Sequence, residues 1–190
     1  MTNDLERRRL AEGLVCLALF TLTIPAANWL IGHVGTVCPP PHGPCLVPVA
    51  PGVLAPSGVL TIGLAFVLRD LVQRRLGAKV SLLAIAVGAI LSAWLAPPAI
   101  VLASAGAFLL SELADFAVYT PLQRRRLVLA VALSSLVGLV VDSIVFLGLA
   151  FGSLDHLLGQ IIGKAWMVLF ALPVVRWLRD RDARLGLTPV

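Results

Sequence analysis

Four ionisable side chains lie within apolar segments of membrane-spanning length: Glu112, Asp115, Asp142 and Lys164. A charge at the centre of a bilayer costs about 2.5–3.5 kcal/mol on insertion scales, so the four oppose insertion by about 10–14 kcal/mol together. Three carboxylates and an ammonium retained at this cost indicate a polar substrate or proton site between helices. The pattern favours a transporter.

Spacing places these and other polar side chains on shared helix faces. Glu112 and Asp115 are three residues apart and Gln160 and Lys164 are four apart, so each pair lies on one face. Small residues near Asp142 would let a neighbouring helix or a ligand approach closely. The predicted substrate-binding residues are Asn28, Glu112, Asp115, Asp142, Gln160 and Lys164, followed by a second set of Asp70, Ser135 and Trp166.

Each of these candidates also has a purely structural interpretation. Lys164 could pair with Glu112 in a buried ion pair, but one ammonium cannot neutralise three carboxylates. Asp70 could form a solvated pair with Arg74, four residues further along the same helix. Trp166 could stack on a planar ligand or could simply pack against neighbours.

The elements that must position these residues are membrane helices. Of 190 residues, 59% are hydrophobic and only 13% are charged, against about 25% charged in soluble domains. We therefore predict an all-α polytopic membrane protein in which residues 1–190 form one membrane domain. The six predicted helices span residues 10–32, 56–71, 80–95, 99–119, 127–151 and 157–177. The second and third are short, which is typical either of a substrate site or of local membrane thinning.

The basic residues predict the topology. All but Lys164 lie at segment ends, in the N-terminus, residues 69–79, residues 120–127 and the C-terminus. The intervening loops contain no Lys or Arg. By the positive-inside rule both termini are cytoplasmic, with an even number of helices. Because this placement explains the positive charge, we predict no nucleic-acid partner; the lipid bilayer is the expected surroundings.

The first outer loop, residues 33–55, is rich in Pro and Gly and contains Cys38 and Cys45. On the outer face these cysteines could form a disulfide, or they could remain two free thiols. Their spacing matches no zinc pattern, so we predict no metal site.

The chain offers no motif for catalysis. The run from Gly159 to Lys164 lacks a spacer residue of a phosphate-binding loop, and Ala165 stands where Ser or Thr should bind magnesium. Gly159 and Gly163 are better interpreted as a close helix contact. A nucleophile–base pair or metal cluster is also missing from the membrane segments. We predict that the protein is no enzyme and needs no cofactor.

Several helix motifs resemble the VUT family of queuosine-precursor transporters. Arg69–Gln73 with Gly77 is the first of these motifs, and Glu112–Tyr119 is the second. The remaining ones are Ser134–Gly138 with Asp142 and Ser143, Gln160–Lys164, and Asn28 near the end of helix 1. The likeness runs from about Asn28 to Pro173.

The resemblance implies an inner-membrane protein that imports 7-cyano- or 7-aminomethyl-7-deazaguanine for salvage into tRNA modification. It also implies a helical fold like the substrate-binding subunits of energy-coupling-factor transporters. The alternative function is a substrate-capture subunit of an ATP-driven vitamin uptake complex. An Ala-x-x-x-Ala docking face on helix 1 would favour that alternative, and the sequence shows none.

Overall fold

The computed structural model describes residues 2–38 and 44–187, and six helices account for most of them. Two short strands and one turn of 3₁₀-helix, Pro98–Ile100, connect these helices. Glycines or prolines lie at most connections, where the helical hydrogen-bond ladder must end. The helices are α1 (Thr2–His33), α2 (Val59–Leu76), α3 (Ala78–Leu95), α4 (Val101–Leu122), α5 (Leu127–Phe151) and α6 (Leu157–Leu185).

All helices except α2 are long and apolar enough to cross a membrane by length and composition. This supports a multi-pass, all-α membrane protein. Helix α2 differs because its second half carries Arg69, Asp70, Arg74 and Arg75. It nevertheless packs against all of the other five helices, and these four charged side chains are buried. A sixth crossing by α2 stays a prediction.

The loop between α1 and α2 contains a β-hairpin that the sequence did not reveal. Strands β1 (Leu46–Ala50) and β2 (Val53–Pro56) pair antiparallel, and Gly52 in their turn has a φ of 72°. Helix α2 therefore begins at Val59 and not at Pro56 as predicted. Upstream of the hairpin, residues 39–43 of this loop lie outside the described residues.

Three glycines bring the hairpin, α2 and α6 into close backbone contact. A Cβ added to Gly63 of α2 would overlap the carbonyl oxygen of Lys164, and one added to Gly159 would overlap that of Leu54. A Cβ at Gly163 would clash with Val59. Any side chain here would have to push α6 away, so these glycines fix the position of the helix that carries Gln160 and Lys164.

The end of the bundle opposite the hairpin is closed by ion pairs. Asp182 of α6 accepts hydrogen bonds from Arg74 at 3.1 Å and from Arg75 at 2.8 Å. Arg75 also pairs with Glu12 of α1 at 2.9 Å, and Arg181 reaches Glu12 at 2.7 Å. We call Glu12, Arg74, Arg75, Arg181 and Asp182 the Asp182 network. Arg74 and Arg75 are thus buried, and Arg74 pairs with Asp182 instead of forming the solvated pair with Asp70 that the spacing suggested.

Candidate functional site

A cavity opens among all six helices in the half of the molecule that carries the hairpin. Three phenylalanines, Phe66, Phe108 and Phe146, form much of its apolar wall. Polar groups reach it from α1, α3, α4, α5 and α6. These polar residues are Thr23, Asn28, Ser92, Ser104, Ser111, Glu112, Asp142 and Gln160. A mostly apolar cavity with a few convergent polar groups is the usual form of a small-molecule site.

Glu112 belongs to a buried group that is centred on one guanidinium. Arg69 of α2 donates to Glu112 Oε2 at 3.2 Å and also bonds to Asp115. Its Nη2 lies 2.8 Å from Asp70 Oδ1, and Ser134 donates to the other Asp70 oxygen at 2.9 Å. We call Arg69, Asp70, Glu112 and Asp115 the Arg69 cluster. Its side chains are at most 2% exposed, so three carboxylates share one cation away from water.

A second buried group holds Asp142 and Gln160 in place. The Lys164 ammonium donates to Asp142 Oδ2 at 2.6 Å, to Ser143 Oγ at 2.7 Å and to Gln160 Oε1 at 2.6 Å. These three bonds use all three donors of the ammonium. Lys164 itself is 0% exposed and does not line the cavity. It therefore acts on the cavity by orienting the two side chains that do line it.

These bonds define which atoms remain for a ligand. Lys164 can only donate, so it must face the amide oxygen of Gln160, and the Gln160 NH₂ group stays available as a donor. Asn28 donates to the backbone carbonyl of Ile24 at 3.0 Å, which leaves its amide oxygen as an acceptor. Glu112 and Asp142 each keep one carboxylate oxygen that the described residues do not bind. The cavity thus combines acceptors from three side chains with one amide donor.

The structure places the predicted site residues at different depths. Asn28, Glu112, Asp142 and Gln160 line the cavity together. Asp115 and Lys164 lie behind that wall, as partners of Arg69 and Asp142. Asp70 and Ser135 of the second set are 0% exposed and do not reach the cavity either.

Two structural interpretations from the sequence are wrong, and for Trp166 the structure favours packing over ligand stacking. Lys164 pairs with Asp142 and not with Glu112, whose partner is Arg69. Asp70 is buried against Arg69 and is not a solvated partner of Arg74. Trp166 cannot stack on a ligand in this cavity, because it lies 45% exposed on α6 and donates to Val49 of the hairpin at 2.9 Å.

Sequence reasoning missed Arg69 and the phenylalanines. The sequence places Arg69 among the flanking basic residues, because it is the first of the 69–79 cluster. The excess of carboxylates over Lys164 was the signal that a second buried cation was needed. Phe66, Phe108 and Phe146 carried no comparable signal, because nothing separates a cavity-facing phenylalanine from a lipid-facing one in an apolar helix.

The fold and the buried polar site define a multi-pass membrane protein with a small-molecule cavity. Residues 93–178 match a protein family described as "Putative vitamin uptake transporter". This match confirms the predicted resemblance to the VUT family across α4, α5 and most of α6. These helices carry Glu112, Asp115, Asp142, Gln160 and Lys164.

No curated protein and no solved structure matches the chain.

Proposed function

We propose that this protein imports queuosine precursors, 7-cyano- or 7-aminomethyl-7-deazaguanine, across the bacterial cytoplasmic membrane. The observation that carries the proposal is the set of free hydrogen-bonding atoms in the cavity. The edge of a guanine-like ring offers adjacent N–H donors and a carbonyl oxygen. Glu112 and Asp142 can accept from the donors, and the Gln160 NH₂ group can donate to the carbonyl.

The other walls suit the rest of such a ligand. Phe66, Phe108 and Phe146 offer flat apolar faces for a planar bicyclic ring. Asn28 adds a further acceptor near the hairpin end of the cavity. An aminomethyl group would introduce a cation, which a carboxylate not engaged with the ring could offset. Both precursors therefore fit the chemistry of this site.

We place both termini in the cytoplasm, so the cavity and the hairpin face outward. A disulfide joins Cys38 and Cys45 beside the hairpin, as an oxidising compartment permits. After reduction on intact cells, a membrane-impermeant thiol reagent should label these two cysteines. Labelling of a cysteine introduced at Arg125 under the same conditions would show that the cytoplasmic and outer faces are the reverse of those proposed.

The transport assignment is tested by rescue of tRNA modification. In a strain that cannot synthesise the precursor, expression of the wild-type protein should restore queuosine in tRNA when 7-cyano-7-deazaguanine is supplied. Glu112→Gln and Asp142→Asn should not restore it, whereas Asp180→Asn should, because Asp180 lies exposed beside Arg179. Normal queuosine levels with both cavity variants, at matched expression, would refute the assignment.

The alternative is a substrate-capture subunit of an ATP-driven vitamin uptake complex. The family description favours it, because "vitamin uptake" does not specify a deazapurine. Purified protein reconstituted alone into liposomes separates the two functions. Exchange of labelled 7-cyano-7-deazaguanine across the membrane without any ATPase would exclude a dependent capture subunit.

A further inference from the structure

The Arg69 cluster contains more negative charge than its cation can balance. Asp70, Glu112 and Asp115 all contact Arg69, so the group carries a net charge of minus two if every carboxylate is ionised. Exposure of these side chains is 0–2%. An uncompensated buried charge costs several kcal/mol, and a carboxylate in that position binds a proton instead.

Among the described residues, every other buried cation is already paired with an acid outside the cluster. Lys164 of α6 is bound to Asp142 of α5, the acid that shares the cavity with Glu112. Arg74 and Arg75, further along α2, are bound to Asp182. Tyr119 of α4 packs its ring 5.5 Å from the Arg69 guanidinium and offers only a neutral hydroxyl.

Behind the cavity wall, one carboxylate oxygen of the cluster has neither a hydrogen bond nor an ion pair among the described residues. Asp115 Oδ2 is buried, and the described residues give it no hydrogen bond, while Asp115 itself is 0% exposed. An ionised oxygen left bare in this way would bear the full desolvation penalty. Protonation removes the charge without any rearrangement of Arg69.

We propose that the Arg69 cluster binds a transported proton and that Asp115 holds it. Glu112 is the member that lines the cavity, so a proton from water in the cavity reaches Asp115 through Glu112. The proton converts a carboxylate to a carboxylic acid and is released on the opposite side of the membrane. In our proposed function, on which this inference rests, Glu112 also contacts the ligand. Glu112 therefore links binding of the ligand to binding of the proton.

The test uses purified protein in liposomes and labelled 7-cyano-7-deazaguanine, which lacks the basic aliphatic amine that a pH gradient would titrate. Counterflow, measured with equal pH on both sides, reports whether the protein carries the ligand. Accumulation against a concentration gradient, with the membrane potential clamped, reports coupling. For one proton per ligand, an inward gradient of about one pH unit supports about tenfold accumulation.

Wild-type protein should accumulate the ligand only when the proton gradient is present, and ligand entry should alkalinise the external medium. Asp115→Asn should abolish accumulation while counterflow continues. Asp70→Asn also removes one of the three carboxylates that contact Arg69. It serves as a second variant if Asp115→Asn does not fold. The exposed Asp180→Asn should behave as wild type in both assays.

Each remaining outcome contradicts a specific claim. Counterflow by the wild type without any response to the proton gradient would refute the coupled proton but leave transport intact. Accumulation driven by a sodium gradient, or undiminished in Asp115→Asn, would also refute it. Absence of counterflow in the wild type would instead refute the proposed function.

Discussion

The two buried charge groups of α2 differ in how well their atoms are satisfied. In the Asp182 network, cations outnumber acids, and both oxygens of Asp182 accept from arginines. In the Arg69 cluster, acids outnumber the cation, and an oxygen of Asp115 has no partner among the described residues. Both acids of the first arrangement are paired with arginines, whereas the second arrangement has more carboxylates than its one cation can balance.

The two groups also differ in what surrounds them. The Asp182 network joins α1, α2 and α6 at the end of the bundle away from the hairpin, and none of its members lines the cavity. The Arg69 cluster borders the cavity through Glu112. A network whose acids are all paired and which does not line this cavity indicates a structural role, whereas an excess of acids at the cavity wall indicates a functional role. This distinction can be tested with substitutions in each group, by measuring protein stability and ligand transport independently.

Lys164→Met should give the largest effect on stability. It leaves Asp142 buried at 6% exposure without a cation, and breaking a buried ion pair from one side costs about 3–5 kcal/mol. Thermal unfolding of the purified protein in detergent measures the loss. The double variant Lys164→Met with Asp142→Asn removes both charges and should recover much of the stability but no uptake. Equal instability of the single and double variants would show that the ion pair is not the cause.

Asp182→Asn should destabilise the protein by about 2–3 kcal/mol and leave transport by the folded fraction unchanged. Asn retains one acceptor oxygen for Arg74 and Arg75 but loses the charge, and bonds to charged groups contribute about 1.5–3 kcal/mol each. Counterflow per folded molecule should match the wild type. The exposed Asp180→Asn, two residues earlier on α6, is the matched control. If Asp182→Asn loses counterflow and Asp180→Asn does not, the Asp182 network takes part in transport. The two charge groups could then no longer be divided into a structural and a functional one.

An element of the fold can be predicted from the sequence only where its physical role produces a recognisable sequence pattern. The helices that cross the membrane follow from apolar length, so five of the six are recognisable from composition. Helix α2 is harder, because its charges find their partners on α1, α4, α5 and α6, and pairing between helices leaves no periodic pattern. The hairpin was hidden because Pro and Gly in residues 46–56 resemble an irregular loop.

The candidate site shows the same division. The insertion cost of Glu112 and Asp142 identifies them without any structure, and both line the cavity. The pairing of each cation with a particular carboxylate depends on how the helices are rotated about their axes. The sequence does not specify these rotations. The sequence therefore identifies three of the four residues in these two ion pairs, missing Arg69, but the predicted pairing of Lys164 with Glu112 is wrong.

Glu112→Gln should reduce ligand transport by about one to two orders of magnitude while the protein stays folded. The amide replaces an anionic acceptor, so a ligand N–H donor is left poorly paired at about 1–3 kcal/mol. Unlike Lys164→Met, this change lowers the excess negative charge of the Arg69 cluster, so stability should be unchanged or increased. Initial counterflow rates and thermal unfolding, measured on the same preparation, separate these effects. A fall in both together would mean that Glu112 is structural.

Phe108→Leu should have the smallest effect, a loss of ligand affinity of about fivefold. Phe108 lines the cavity beside Ser104 and Ser111, where its ring can stack on a planar ligand. Leucine keeps the apolar volume but loses the aromatic face, which contributes about 1 kcal/mol beyond simple burial. Ligand-induced thermal stabilisation over a range of 7-cyano-7-deazaguanine concentrations measures the change. Phe170→Leu is the matched control, because Phe170 is 68% exposed on the outer surface of α6 and lies away from the cavity. If both variants bind equally well, the aromatic wall of the cavity does not recognise the ring, and specificity comes from the hydrogen-bonding edge alone.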